Sequence, residues 1–137
     1  MNPSDLPARV QALLDVALNH HLGLVFDRHE THTAHAHFDM GPQHLAFGGL
    51  HGGALYVLLD AVCLLALLPA LAPGQHAVTH DLHISMMRPV AAGAHCQLTA
   101  RVIKLGRSLA FLEASATVNG QVVASARITK SLITMSQ

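Results

Sequence analysis

One stretch of this sequence constrains everything around it. Gly53 to Ala72 is ~20 residues of mostly Leu, Ala and Val, about the length that crosses a bilayer as a helix. It carries a single carboxylate, Asp60. At mid-membrane that group costs ~2.5–3.5 kcal/mol. Pro69 ends the helix early, and no Lys/Arg flank marks a cytoplasmic side. The expectation is therefore no membrane span, but a helix buried nearly all round inside a folded domain.

The rest of the chain must supply the walls. Its 137 residues predict a single domain, 1–137, with 1–23 as an N-terminal helix preceding the core. Residues 5–21 place Val10, Leu13, Leu14, Ala17 and Leu18 at helical spacing. Ser4 or Asp5 can cap that helix, and Gly23 suits its exit. Residues 24–29 and 31–40 read as two strands. A loop with Gly41-Pro42 and Gly48-Gly49 follows. The apolar helix runs over 52–68.

Beyond it the period changes from 3.6 to 2. In 76–87 the residues Val78, Leu82, Ile84 and Met86 are assigned to one face, with His80 breaking the run. Residues 94–105 put Cys96, Leu98, Ala100 and Val102 on one side. Residues 108–118 and 121–134 flank Asn119-Gly120, a strong hairpin signal. The order predicts an α+β domain: one antiparallel sheet, its last four strands a meander, with a long apolar helix packed on it.

Composition excludes several functions. Charged residues are 12%, about half the ~25% usual for a soluble domain, and net charge is zero. No basic footprint for nucleic acid exists, and 4% aromatics make no base-stacking platform. So few charges predict subunits that hide apolar surface against one another. Cys63 and Cys96 form no CxxC, and the N-terminus shows no signal-peptide pattern. Both features lead us to expect buried thiols and a cytoplasmic location.

The chemistry concentrates at Gly48-Gly49-Leu50-His51-Gly52-Gly53, followed by Asp60. Glycines at a helix N-terminus let a ligand approach the backbone, and the first-turn N–H groups suit a carbonyl oxygen becoming an oxyanion. A carboxylate on an apolar helix suits a general base or nucleophile.

Together these blocks resemble the hotdog-fold thioesterases, in particular the acyl-CoA thioesterase branch that includes the phenylacetate-pathway enzymes. The matching stretches are 50–55 (LHGGAL) through Asp60-Ala61, then 78–82 (VTHDL), 87–90 (MRPV) with Gly93, 104–110 (KLGRSLA), and Val123-Ala124 with Ala126. The resemblance covers 22–134. It implies hydrolysis of an acyl thioester to free acid and coenzyme A. Asp60 would be base or nucleophile, and Gly52 or Gly53 the oxyanion donor. Thr79 would help hold the water, and His51 would shape the loop. It further implies that Gly106, Arg107 and Ser108 lie beside the coenzyme A arm, with Arg88 and Lys130 as weaker candidates for its phosphates. No cofactor is implied, since coenzyme A is part of the substrate. The implied partners are acyl-CoA and a second copy of the chain, as a homodimer and then a dimer of dimers. The acyl group is expected against Leu45, Phe47, Tyr56 and Leu59. Relatives often carry Asn where this sequence has Leu45; Gln43 and His44 are the nearby polar substitutes.

Spacing adds an independent point. Gly53 and Asp60 are ~10 Å apart along one helix, whereas donor and base must both lie ~3 Å from the reacting group. This predicts a composite site at a two-fold interface, with Asp60 of one subunit facing the glycines of the other.

Other readings weigh less. His29, His32, His35 and His37 could suggest zinc or nickel, but HExxH spacing is missing, and solvent-facing strand histidines explain them; no metal is expected. Cys63 reads as a core thiol, and Ser85, Ser108 and Ser115 lack a GxSxG context. Two other functions stay open: a non-catalytic acyl-CoA-binding module on the same fold, and a His-rich metal-binding protein.

Overall fold

The computed structural model describes residues 5–134. The N-terminal segment forms two helices, α1 (Leu6–Leu14) and α2 (Ala17–His21), where the sequence predicts one. The break falls at Asp15-Val16, Val16 having extended backbone. Buried Asn19 donates its side-chain N–H to the Leu13 carbonyl at 3.0 Å, satisfying an acceptor near the end of α1. The kink changes which residues face inward. Val10 and Leu13 are buried as expected, but Ala17 and Leu18 are exposed. Asp5 sits at the N-cap without a side-chain bond, and Ser4 lies outside the described residues. Gly23, at φ +72°, makes the exit.

β1 (Val25–Glu30) and β2 (Thr33–Asp39) follow, then two short strands, β3 (Leu45–Ala46) and β4 (Gly49–Leu50). α3 (Gly52–Leu67) continues as a 3-10 turn over Leu68–Ala70, where Pro69 stands. The remaining strands are β5 (Gln75–Met86), β6 (His95–Leu105), β7 (Leu109–Val118) and β8 (Gln121–Thr134). All pairings in the six-stranded sheet are antiparallel, in the order β1-β2-β6-β7-β8-β5.

The expected four-strand meander is therefore partly wrong. β6-β7-β8 is a meander, closed by Asn119 (φ +50°) and Gly120 (φ +75°), the two left-handed residues of a type I′ turn. β5 instead lies at the sheet edge beside β8. No tight-turn pair separates β5 from β6; an eight-residue link over 87–94 carries the chain between β2 and β7.

α3 packs on one face of this sheet. Leu55, Leu58, Leu59, Val62, Leu65 and Leu67 are wholly buried. The strands offer small residues in return, among them Ala34, Ala36, Ala100, Ala116 and Ala124. Large side chains on the helix and small ones on the sheet allow close packing without voids. The apolar stretch of spanning length, residues 52–70, is thus a core element, half of it buried against the sheet and loops.

One irregularity positions the site. The β5–β8 register shifts between Thr79 and Asp81, leaving His80 as an extra residue, a β-bulge. One added residue reverses the side-chain alternation. Leu82 and Ile84 face inward, but Val78 is 48% exposed, on the other face from them. The sequence reading had put these residues together. Thr79, though still exposed to solvent, takes the side that faces α3 instead.

Candidate active site

Asp60 lies mid-way along α3 and meets two side chains from the sheet. Thr79 on β5 donates its hydroxyl to Asp60 Oδ1 at 2.6 Å. Lys130 on β8 donates from Nζ to the same oxygen at 2.7 Å, and to Thr79 Oγ1 at 2.9 Å. Thr79 and Lys130 are directly opposite partners in the β5–β8 ladder. The bulge at His80 gives Thr79 the parity to reach Asp60 in this pair.

This network corrects the expected role of Lys130. Its side chain is only 3% exposed, against 35% for Asp60. An ammonium so enclosed and bonded is a counter-ion for Asp60, not a surface contact for phosphate. The sequence carried a signal that was passed over. Ala124, Ala126 and Ile128 alternate inward along β8, and Lys130 is next in that phase. A buried cation requires a buried or half-buried anion nearby.

Both donors converge on Oδ1. Among the described residues, no hydrogen bond engages Oδ2. The carboxylate is therefore fixed by one oxygen and offers the other. Beside it opens a cavity of about 560 Å³, within the range of small-molecule sites. Its walls are mostly apolar and come from α1, α3 and the start of β5, including Ala8, Ala12, Leu13, Val57, Ala61 and Leu64. α1 was not read as part of the site; its small residues, Ala8 and Ala12, were the available sign.

At the N-terminus of α3, His51 is the N-cap. Its Nδ1 accepts from Gly53 N–H at 2.8 Å, and its carbonyl accepts from Ala54 and Leu55. That separates the two glycines. The Gly53 donor is occupied, and a Cβ at Gly53 would lie 2.8 Å from His51 Cε1. Gly52 N–H has no protein partner among the described residues, and a Cβ there would meet nothing within 4 Å. Gly52 is thus the accessible donor at the positive end of a 16-residue helix.

The preceding loop is held by His44. This wholly buried ring accepts from Gly41 N–H at Nδ1 and donates from Nε2 to the Leu22 carbonyl. Gln43 donates to the His21 carbonyl. Neither is free to replace the amide missing at Leu45, which pairs with Leu50 between β3 and β4. The turn between these strands is Phe47 (φ +53°) and Gly48 (φ +82°), and Phe47 is fully exposed at its tip.

The other proposed acyl contacts divide. Tyr56 is 38% exposed, one turn beyond Gly52, whereas Leu59 has no exposure. Leu59 faces the core and cannot line a pocket between subunits. Gly106 closes the β6–β7 turn: its N–H donates to the Leu109 carbonyl, and a Cβ would sit 2.9 Å from that oxygen. Arg107 and Ser108 are exposed on the turn. By register it lies beside Ser131, next to Lys130. Arg88 is exposed beyond the far end of β5, nine residues and so ~25–30 Å along the chain from Thr79. Within one subunit the two arginines are not brought together.

Cys63 is wholly buried. Desolvation pushes its thiol up to about 12; nearby Lys130 opposes that and Asp60 adds to it. Such a thiol is not a nucleophile at neutral pH. The four clustered histidines do not converge: His29 turns to the Leu65 carbonyl, while His35 meets Thr99 and Glu30.

The family model described as the thioesterase superfamily matches residues 47–125. Human acyl-coenzyme A thioesterase 13 is 37% identical over 89 residues, 64% of this chain and 63% of its own length. The match thus spans less than two thirds of that relative. A thioesterase from Haemophilus influenzae shares the fold, with a TM-score of 0.86 at 24% identity over 97% of this chain and 93% of its own. A mutant phenylacetic acid degradation protein from Thermus thermophilus gives 0.73 at 26% identity, covering 82% and 95%.

Proposed function

The chain belongs to the thioesterase superfamily, and from that premise we propose that it hydrolyses acyl-CoA to the free acid and coenzyme A. The observation that carries this reading is the fixed Asp60 carboxylate. Oδ1 is held by Thr79 and Lys130, and Oδ2 is offered beside an apolar cavity. Asp60 acts as general base through Oδ2, taking a proton from the attacking water. The Lys130 ammonium holds the carboxylate in place from the sheet side. Gly52 N–H polarises the thioester carbonyl and stabilises the oxyanion. The acyl group occupies the cavity under α1. Coenzyme A runs past the Gly106–Ser108 turn, and no group beyond these residues and water enters the reaction as proposed.

Gly52 and Asp60 lie ~12 Å apart along one helix, so the proposed site is shared by two subunits. β5 supports that arrangement. It is a 12-residue edge strand whose outer side has no pairing partner among the described residues, and Val78, Met86 and neighbouring Met87 are half-exposed. Exposed edges of this length are usually covered. The small exposed Gly52 and the uncovered Phe47 fit a neighbour's approach. Two buried, unpaired thiols support a reducing, cytoplasmic setting.

The test is thiol release from aliphatic and aromatic acyl-CoAs by wild type and Asp60→Asn. The amide keeps an oxygen for Thr79 and Lys130 but leaves the enclosed ammonium without its counter-charge, so calorimetric Tm is measured beside turnover to verify that the variant is folded. Its turnover is expected to fall at least ~10²-fold, and wild-type activity is expected to fall on dilution as the dimer dissociates. Label from H₂¹⁸O appearing in Asp60 after single turnover would replace the base by a nucleophile. Binding without turnover in wild type would favour the non-catalytic module, with Leu45 as the reason.

A further inference from the structure

On the face of the sheet turned away from α3, strand geometry assembles a different group. His37 and Asp39 are two apart on β2 and share that face, while Ala36 and Phe38 point into the core. Asp39 stands directly opposite His95 on β6. One donor atom from each of His37, Asp39 and His95 lies within 4.8 Å of the others. The two rings are in contact, tilted by 41° with centroids 4.8 Å apart.

The polar contacts orient these ligands. Asp27 on β1 accepts from His37 Nδ1 with both oxygens, at 2.8 and 2.9 Å. That places the ring proton on Nδ1 and leaves the Nε2 lone pair free. His95 Nδ1 is 2.7 Å from Asp39 Oδ1. Among the described residues, Nε2 of neither ring and Oδ2 of Asp39 have a hydrogen-bond partner. For His37, Asp27 is the carboxylate behind a ring that presents its other nitrogen outward, the arrangement that holds metal-ligating imidazoles.

We infer that His37, Asp39 and His95 form a binding site for a divalent transition metal, Zn²⁺ foremost, with Asp27 holding His37. Two imidazoles and a carboxylate suit Zn²⁺, whose ligands sit ~2.0–2.2 Å from the metal. Ligand atoms around a tetrahedral ion are therefore ~3.3 Å apart. Rotation of His95 and Asp39, whose side chains are 52% and 74% exposed, exchanges their mutual hydrogen bond for bonds to the ion and closes the remaining gap. His37, at 23%, is the fixed member. The ion ties β2 to β6 and keeps a fourth position open to solvent. It lies across the sheet from Asp60, so its role is structural and separate from thioester chemistry.

The test is calorimetric titration of Zn²⁺ into chelator-treated protein at pH 7.5. Wild type is expected to saturate at one ion per chain. His37→Ala and His95→Ala are expected to abolish that saturation, and Asp27→Asn to weaken it ~10–100-fold. His83→Ala, a histidine outside the group, is expected to change nothing. Co²⁺ should give the visible absorption of a tetrahedral site in wild type and not in the double variant. Equal Zn²⁺ binding by wild type and His37→Ala/His95→Ala would assign the ions to the ten other histidines and overturn the proposal. Absence of saturable binding in wild type would overturn it as well. Thiol release by the double variant, unchanged from wild type, verifies that it is folded.

Discussion

Thr79 links the parts of the site, because its hydroxyl both donates to Asp60 and accepts from Lys130. Thr79→Ser keeps both bonds and is expected to retain activity within a few-fold. Thr79→Val removes both hydrogen bonds, each to a charged group and each worth ~1.5–3 kcal/mol. It should lower kcat at least ~10-fold in the thiol-release assay with little change in KM; an unchanged kcat would remove Thr79 from the mechanism. Asp60 and the glycines were legible as residues because a carboxylate on an apolar helix and a His-Gly-Gly at its start are locally anomalous. Lys130 was legible only as a charge. Its pairing with Asp60 spans 70 positions and depends on β8 lying beside β5, which period-2 alternation does not reveal.

At the scale of elements, the start of α3 separates two glycines that look equivalent in sequence. Gly53→Ala pushes a methyl into His51 and displaces the cap. The expected loss is about 1 kcal/mol, visible as a drop of several degrees in calorimetric Tm. Gly52→Ala meets no neighbour within 4 Å, so Tm should hold or rise slightly. Its kcat/KM should nonetheless fall if Gly52 N–H is the donor proposed above, since the methyl sits beside that N–H. The opposite pattern would transfer the donor role to Gly53. The long helix, the strands and the Asn-Gly hairpin were readable because each is a local pattern. The break between α1 and α2 was not: it depends on a bond from Asn19 back to Leu13 that interrupts an otherwise helical periodicity. The place of β5 was hidden for a similar reason. Pattern gives a strand's existence, whereas its neighbour follows from how the 87–94 link runs.

For the whole molecule, the two buried thiols set a limit on alkaline stability. Desolvation raises Cys63 and Cys96 from 9 to about 12 in the folded state. Their contribution is fully present below the unfolded value, near pH 9. It is lost as pH rises toward 12, because the unfolded chain releases protons that the folded chain retains. Urea midpoints should therefore fall between pH 8 and 10.5. They should fall less in Cys63→Ala/Cys96→Ala, when each protein is compared with its own midpoint at pH 8. Equal falls would show that other groups dominate. The low charge and apolar composition correctly pointed to a large core around one helix. They also pointed to apolar surface left over, and Phe47, Met87 and Val78 are among the residues that carry it.

The extra residue in β5 has a consequence for how such a chain can diversify. A strand normally ties all its side chains to one phase, so redirecting one redirects the rest. His80 divides β5 into two independently phased segments. The segment from Leu82 onward answers to the core, and the one ending at Thr79 answers to the carboxylate. Substitutions in the segment ending at Thr79 can alter the surroundings of Asp60 while the segment from Leu82 keeps the fold in register, so the bulge works as a clutch between the carboxylate and the architecture.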